Sequence, residues 1–249
     1  MTENKELSII LPSYNDLRIE RAICSIRKFD DVNKVRIVLV DGDSNTEVKN
    51  VVNRLLTDDD IYISERDQGI FDALNKGLDA CDTEFIGWLG SDDIFTGELP
   101  ASEVIEGLNK YDLYMGNINF FRNGYVTRRT HALPSRIGLT RLGLHNPHYA
   151  TFGRASLLKS ERFRLDIRGA DIEYFVKIFD KKPLIGSTNV VATLQAEGGY
   201  SNTTFRNILR TNISLIPLFG YFGPFAVLIK LIYKTLSRTY FKIVRTPIP

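Results

Sequence analysis

Over its first ninety or so residues the chain alternates short apolar runs with longer stretches whose apolar positions recur at helical spacing. Leu7–Leu11 and Val35–Val40 are runs rich in β-branched residues that end in turn chemistry, the pattern of buried parallel strands. Between them, Leu17–Phe29 sets Ile19, Ala22, Ile23 and Ile26 on one side of an amphipathic helix. The alternation continues with a helix over Thr46–Leu56, a strand over Ile61–Ser64, a helix over Ile70–Ala80 and a strand over Glu84–Leu89. Successive β-α-β units of this kind predict an α/β fold with a mostly parallel sheet. The second half is less regular, with a further helix expected over Ile172–Phe179.

Open α/β sheets bind ligands beyond the carboxyl ends of their strands, so the residues that follow each strand matter most. Here they are polar or acidic: Ser13-Tyr14-Asn15, Asp41-Gly42-Asp43-Ser44, Glu65-Arg66-Asp67-Gln68-Gly69 and Ser91-Asp92-Asp93. Adjacent carboxylates repel unless a cation or hydrogen-bond donors offset them, and a hard divalent ion is a natural partner for Asp92-Asp93. Turn or capping aspartates are the alternative, but the register with three other polar or acidic strand ends favours the cation. No Gly-x-Gly-x-x-Gly or P-loop follows the first strand, which argues against a dinucleotide enzyme or an NTPase.

Composition adds a boundary. The 249 residues, 43% hydrophobic and 25% charged, fit one globular catalytic domain. The polar N-terminus has no signal-peptide pattern, so a cytoplasmic location is expected. Cys24 and Cys81 lack metal or disulfide spacing and read as core or near-core thiols. The net charge of +2 hides an asymmetry, because no acid follows Glu197 while Arg206, Arg210, Lys230, Lys234, Arg238, Lys242 and Arg245 do. The expected division is a catalytic domain over 1–204 and an apolar, basic helical tail over 205–249. In that tail Lys230, Lys234, Arg238 and Lys242 recur every four residues opposite Ile229, Ile232, Tyr233, Leu236, Tyr240 and Ile243. This suits an anionic membrane surface better than nucleic acid, the alternative being a helix packed on the protein's own core.

Four motifs in order carry a resemblance: Ser13-Tyr14-Asn15, Val40-Asp41-Gly42-Asp43-Ser44, Asp67-Gln68-Gly69-Ile70-Phe71-Asp72-Ala73-Leu74-Asn75-Lys76-Gly77 and Leu89-Gly90-Ser91-Asp92-Asp93. Their order and spacing resemble family 2 glycosyltransferases of GT-A fold, a Rossmann-like mixed sheet. Asp67–Gly77 looks especially like bacterial members that build O-antigen or colanic acid.

The resemblance implies that Tyr14 packs on the nucleotide base, usually uracil, that Asp41 accepts a hydrogen bond from it, and that Ser13 lines the same pocket. Asn15, Asp43, Gly69, Asn75, Lys76 and Ser91 belong to the same donor motifs. Asp67 and Asp72 would face ribose, diphosphate or donor sugar. Asp92 and Asp93 would match the family's DXD element and hold Mn2+ or Mg2+, although Gly90 stands where a fuller motif has its first Asp. His148 in the segment 145–152, and the acids Asp171 and Glu173, look like acceptor-side landmarks. Asp171 would be the general base, with Glu173 as substitute, and His148 and Glu173 would lie on the acceptor or diphosphate side.

These implications converge on an inverting transferase moving a hexose from a UDP-sugar to a lipid-diphosphate-linked saccharide in bacterial surface polysaccharide assembly. Such an enzyme would lie peripherally on the inner face of the plasma membrane. A nucleotidyltransferase and a membrane-anchored nucleotide-sugar scaffold without turnover are the alternatives.

Overall fold

A computed structural model describes residues 5–132, 148–167 and 169–196, together with residues 134, 232, 246 and 247. The expected alternation is present: β1 (Leu7–Ser13), α1 (Ile19–Phe29), β2 (Val35–Asp41), α2 (Thr46–Leu55), β3 (Ile61–Ser64), α3 (Ile70–Ala80) and β4 (Phe85–Trp88). After it come β5 (Ile94–Phe95), α4 (Ala101–Lys110), β6 (Leu113–Arg122), β7 (Tyr125–Thr130), β8 (Thr151–Arg154), α5 (Ala155–Leu158), α6 (Ala170–Asp180), β9 (Ile185–Ala196) and β10 (Thr246–Pro247).

The sheet is mixed. β3, β2, β1 and β4 lie side by side and parallel, β8 joins β4 antiparallel, and β6 and β7 continue beyond it. β9 runs parallel to β6 and antiparallel to the short β5. So the mostly parallel expectation holds for the first half of the fold only, because the hairpin β6–β7 and the return strand β8 reverse direction.

Side-chain alternation explains why both faces of the parallel region are covered. Leu7, Ile9 and Leu11 of β1, with Val35, Ile37 and Leu39 of β2, point into a core shared with α1, α2 and α4. Ile10 and Val38 point the other way, into a second core with α3 and α6 that includes Trp88, Phe163, Tyr174 and Phe175. α2 begins at Asn45, whose side chain accepts the Val48 N–H at 3.1 Å, an ordinary helix cap.

One expectation needs correction. Cys81 is buried, and burial pushes its thiol up to about 12, but Cys24 is exposed. The buried stripe of α1 runs through Ile19, Ala22, Ile23 and Ile26, and a residue directly after Ile23 turns about 100° away from it.

The tail expected over 205–249 lies almost entirely outside the described residues. Among them, Thr246 and Pro247 pair with Val126 and Tyr125 of β7. No helix of the described residues is long and apolar enough to cross a membrane.

Candidate active site

Strand register assembles the first part of the site. Ser13 lies opposite Asp41, and Asp41 opposite Ser64, so the carboxyl ends of β1, β2 and β3 finish at one level. The Asp41 side chain is fully buried. It accepts the Ser44 backbone N–H at 3.0 Å, the Ser64 hydroxyl at 3.0 Å and the Ser44 hydroxyl, with the Tyr62 hydroxyl 3.5 Å away. Ser44 Oγ in turn accepts the Asn15 N–H at 2.7 Å, and Asn15 Oδ1 accepts the Asn45 N–H at 2.8 Å. Asn15 and Asp43 both adopt positive φ, a conformation that asparagine and aspartate tolerate better than most residues. These bonds lock the loops after β1 and β2 together and leave Tyr14 standing out, 66% exposed, above Gly42.

Asp67 meets the same place from the next loop. It accepts the Gly69 N–H at 2.9 Å, and its Oδ2 reaches to the bare Cα of Gly42. Gly69 has φ 112°, which suits glycine, and starts α3. Asp72 accepts the Gln68 N–H at 3.0 Å, an acid at a helix start. Lys76 ties this loop down through Glu65 at 2.8 Å, the Arg66 carbonyl at 2.9 Å and Asp72 at 3.6 Å. Asn75 exchanges two hydrogen bonds with the backbone of Phe163, at 2.8 and 2.9 Å. Lys76 and Asn75 thus tie α3 to the loop before it and to the segment around Phe163. Asp43 is paired with Lys49 at 2.6 Å on the exposed side, and the Ser13 hydroxyl is buried without a hydrogen-bond partner among the described residues.

The acidic pair lies at the end of β4. Asp93 is only 2% exposed; its Oδ1 accepts the Ala196 N–H at 2.9 Å, a contact brought about by the pairing of β5 with β9. Burial, reinforced by the charge of Asp92, pushes the Asp93 carboxyl well above the ordinary range. Burial also raises Asp92, against the opposing pull of Arg18. A Cβ at position 90 would come within 2.7 Å of Asp93 Oδ2 and 3.2 Å of Asp92 Oδ1, so Gly90 leaves the pair room. Among the described residues no cluster of three or more His, Cys, Asp or Glu side chains suited to a metal occurs. A half-buried Asp92 and a buried Asp93, the second destabilised by the charge of the first, nevertheless fit an Mg2+ or Mn2+ that takes its remaining oxygens from phosphates and water.

Two residues missing from the sequence reading sit beside this pair. Asp16 accepts Nε and Nη2 of Arg18 at 2.8 Å each, the Arg18 backbone N–H at 3.0 Å and the Ser91 hydroxyl at 3.0 Å. Burial works against ionising Asp16, but the Arg18 and Ser91 hydrogen bonds and the Arg18 charge bring its carboxyl below the usual value. Arg18 Nη1 then stands 3.5 Å from Asp92 Oδ2. Only the two-residue spacing of Asp16 and Arg18 hints at this in sequence.

Asp171 occupies the first turn of α6, after Gly169 in the left-handed region. Tyr149 connects it to the acidic pair: burial first, then the charges of Asp93, Asp171 and Asp92, push the Tyr149 phenol well above its ordinary value. Glu173 is two positions along the helix and therefore faces elsewhere, pairing with Lys177 at 3.0 Å and lying 3.9 Å from Arg164. His148 is buried in an aromatic cluster, stacked on Tyr149 at 4.4 Å and edge-on to Trp88 at 5.4 Å. Burial pushes it down to about 3, and its Nε2 has no hydrogen-bond partner among the described residues. The charges of Asp92, Asp93 and Asp171 thus all reach Tyr149, while His148 packs among aromatic rings and Glu173 pairs with Lys177.

The glycosyl transferase family 2 model matches residues 8–163. The chain belongs to that family. It is 26% identical over 194 residues to a GalNAc(5)-diNAcBac-PP-undecaprenol beta-1,3-glucosyltransferase of Campylobacter jejuni, covering 71% of this chain and 60% of the relative's length. It is also 26% identical over 213 residues to a PGL/p-HBAD biosynthesis glycosyltransferase of Mycobacterium bovis, covering 79% of both. Among solved structures, S. aureus TarS 1–349 in complex with UDP-GlcNAc superimposes with a TM-score of 0.62 at 18% identity, over 84% of this chain and 66% of that one. A mannosyltransferase of Pyrobaculum calidifontis in complex with GDP-Man and Mn2+ gives 0.61 at 17% identity, over 96% and 72%. The fold is GT-A, as the four motifs implied.

Proposed function

We propose that this family member is a metal-dependent, inverting glycosyltransferase that moves a hexose from a UDP-sugar to a lipid-diphosphate-linked saccharide in bacterial surface polysaccharide assembly. The observation that carries this reading is that two separate carboxylate groups lie within electrostatic reach of one buried phenol, Tyr149: the Asp92–Asp93 pair at the end of β4 and Asp171 at the start of α6. An inverting transfer needs both. A base removes the acceptor proton on one face of the anomeric carbon, while the leaving diphosphate departs on the other. A divalent ion held by Asp92 and Asp93 supplies charge stabilisation to that leaving group, an effect of roughly several kcal/mol.

In this reading Tyr14 carries the base, and Asp67, beside it over Gly42, lies within reach of the nucleoside. Asp41 is already satisfied by Ser44 and Ser64, so contacting the base would require it to share an oxygen or release a hydroxyl. Asp171 is the general base.

The donor class draws support from TarS with UDP-GlcNAc, and the metal from the GDP-Man and Mn2+ complex. A lipid-linked acceptor is supported by the undecaprenol-linked name of the Campylobacter relative, of which this chain spans three fifths. The basic tail over 205–249 would hold the enzyme on an anionic membrane, peripherally, beside such an acceptor.

Calorimetric titration with UDP and a panel of UDP-sugars, in Mn2+ and then in chelator, tests the proposal. Metal-dependent binding weakened by Tyr14→Ala and Asp92→Ala is the expected result. Absence of binding to every uridine donor would overturn the UDP-sugar reading, and donor binding without turnover across an acceptor panel would favour the scaffold alternative.

A further inference from the structure

A cation already stands at the carboxylate pair. Arg18 belongs to the loop after β1, and its guanidinium is fixed in orientation by a bidentate grip from Asp16, itself held by the Ser91 hydroxyl. That grip leaves Nη1 directed at Asp92, 3.5 Å from Oδ2. Arg18 is about half exposed, so its far side is open to a ligand arriving from solvent. The planar fork of arginine suits carboxylate and phosphate oxygens alike.

We propose that Arg18 couples metal binding to donor binding: it neutralises Asp92 while the site is free, opposes a divalent ion that arrives alone, and turns to the donor diphosphate when both are present. This inference rests on the function proposed above. A metal ligated by Asp92 would lie at about 2 Å from its oxygen, which brings it within a few ångströms of the guanidinium. Like charges at that separation repel, and Asp16 keeps Arg18 from swinging freely away. A diphosphate placed between them removes the repulsion, because both cations then share its negative oxygens. Arg18 acts through Asp92 and the diphosphate, and is a positioning residue.

The test uses the full chain and reads free Mn2+ by electron paramagnetic resonance, titrated without nucleotide, with saturating UDP and, in parallel, with GDP. Wild type should bind Mn2+ about tenfold more tightly when the nucleotide is present. Arg18→Gln should bind Mn2+ more tightly than wild type without nucleotide, and the nucleotide's enhancement should shrink about fivefold or more. Asp16→Asn, which keeps an oxygen for the Arg18 N–H but loosens the fork, should fall between the two. Arg18→Lys should retain part of the coupling, since it keeps the charge.

Arg18→Gln with wild-type Mn2+ affinities in both conditions overturns the inference, even if its melting temperature falls. Wild type that binds Mn2+ and nucleotide independently of each other also overturns it and leaves the proposed function standing. If wild type takes Mn2+ but neither nucleotide, the donor reading fails, and the Mn2+ affinities of wild type and Arg18→Gln alone decide on Arg18. Wild type that takes no Mn2+ overturns both.

Discussion

Asp67 and Gly42 meet where the loops after β2 and β3 approach: Asp67 Oδ2 lies 2.6 Å from where a Cβ on residue 42 would be. The Tyr14 ring is the next neighbour of that point, at 3.3 Å. Glycine at 42 is therefore what allows an acid from the loop after β3 to reach the exposed tyrosine from the loop after β1. Gly42→Ala should push Asp67 off this position and crowd the Tyr14 ring. The expected outcome is UDP binding weakened by about tenfold, roughly 1.4 kcal/mol, with little change in melting temperature. An unchanged UDP affinity would show that the Asp67 approach has no part in donor recognition.

The acidic pair predicts a pH dependence of defined sign. An unfolded aspartate titrates near 3.9, whereas burial and Asp92 place folded Asp93 well above that. Below about 3.9 the carboxyl is protonated in both states, and the raised folded value then contributes stability. As pH rises through the folded value the buried group ionises and that contribution is lost. The metal-free chain should consequently lose stability with rising pH relative to Asp93→Asn, which cannot ionise. Mn2+ should reverse the trend, since it binds the ionised pair. Melting curves of both proteins in chelator and in Mn2+, from pH 5 to 8, check this; a wild-type response to Mn2+ that does not grow with pH contradicts it.

The parallel half of this arrangement is legible in the sequence because strand and helix periods differ and each strand end advertises itself with polar residues. Ser13, Asp41 and Asp92 could be placed at one edge on that basis alone. The Arg18–Asp92 approach could not, because it joins loops that meet only through the register of β1 with β4. The same holds for Asp93 and Ala196, which depend on a two-residue strand pairing with the end of β9. Cys24 departs from expectation for a simpler reason: helical spacing identifies the buried stripe, but an uncharged residue beside it carries no label of its own. Tyr149 directly follows His148, and only the fold brings the Tyr149 phenol, rather than the imidazole, within reach of the charges of Asp93, Asp171 and Asp92.

Asp171 and Glu173 are separable by mutation because they leave α6 in different directions. Asp171→Asn should keep UDP-sugar affinity within about twofold of wild type and lower turnover by about 10²-fold or more, the usual contribution of a positioned base. Glu173→Gln should keep turnover and lose some stability, since it breaks the Lys177 pair at 3.0 Å. Steady-state kinetics beside donor titration distinguishes the two. Near-normal turnover in Asp171→Asn would remove it from the chemistry.

The tail predicts a sedimentation result. Removing residues after 204 should release the chain from vesicles rich in anionic lipid, each basic residue near such a surface contributing about 1 kcal/mol. The truncation also removes the Thr246–Pro247 pairing with β7, so melting temperature must be followed in parallel. Substituting Lys230, Lys234, Arg238 and Lys242 with glutamine in the full chain separates lipid attraction from that pairing. Undiminished sedimentation of the substituted chain would show that these charges do not carry any lipid attachment.

His148 offers a test of the second core that is independent of ligands. Its imidazole is pushed down to about 3 by burial, while an unfolded histidine titrates near 6.5. Between those values the unfolded chain takes up a proton that the folded chain refuses, so stability falls as pH drops below about 6.5, by up to roughly 1.4 kcal/mol per pH unit. His148→Phe keeps a ring against Tyr149, Trp88 and Phe175 and removes both the ionisable group and the unpartnered Nε2. At pH 7 the variant should be about as stable as wild type, and at pH 5 it should be more stable by roughly 2 kcal/mol. Urea unfolding at the two pH values reads the difference directly. The signs of Asp93 and His148 are opposite, so only a comparison of each variant with wild type isolates either one. A His148→Phe difference that stays constant between pH 7 and 5 would mean that the imidazole can be protonated within the folded chain, and that the aromatic cluster opens to water.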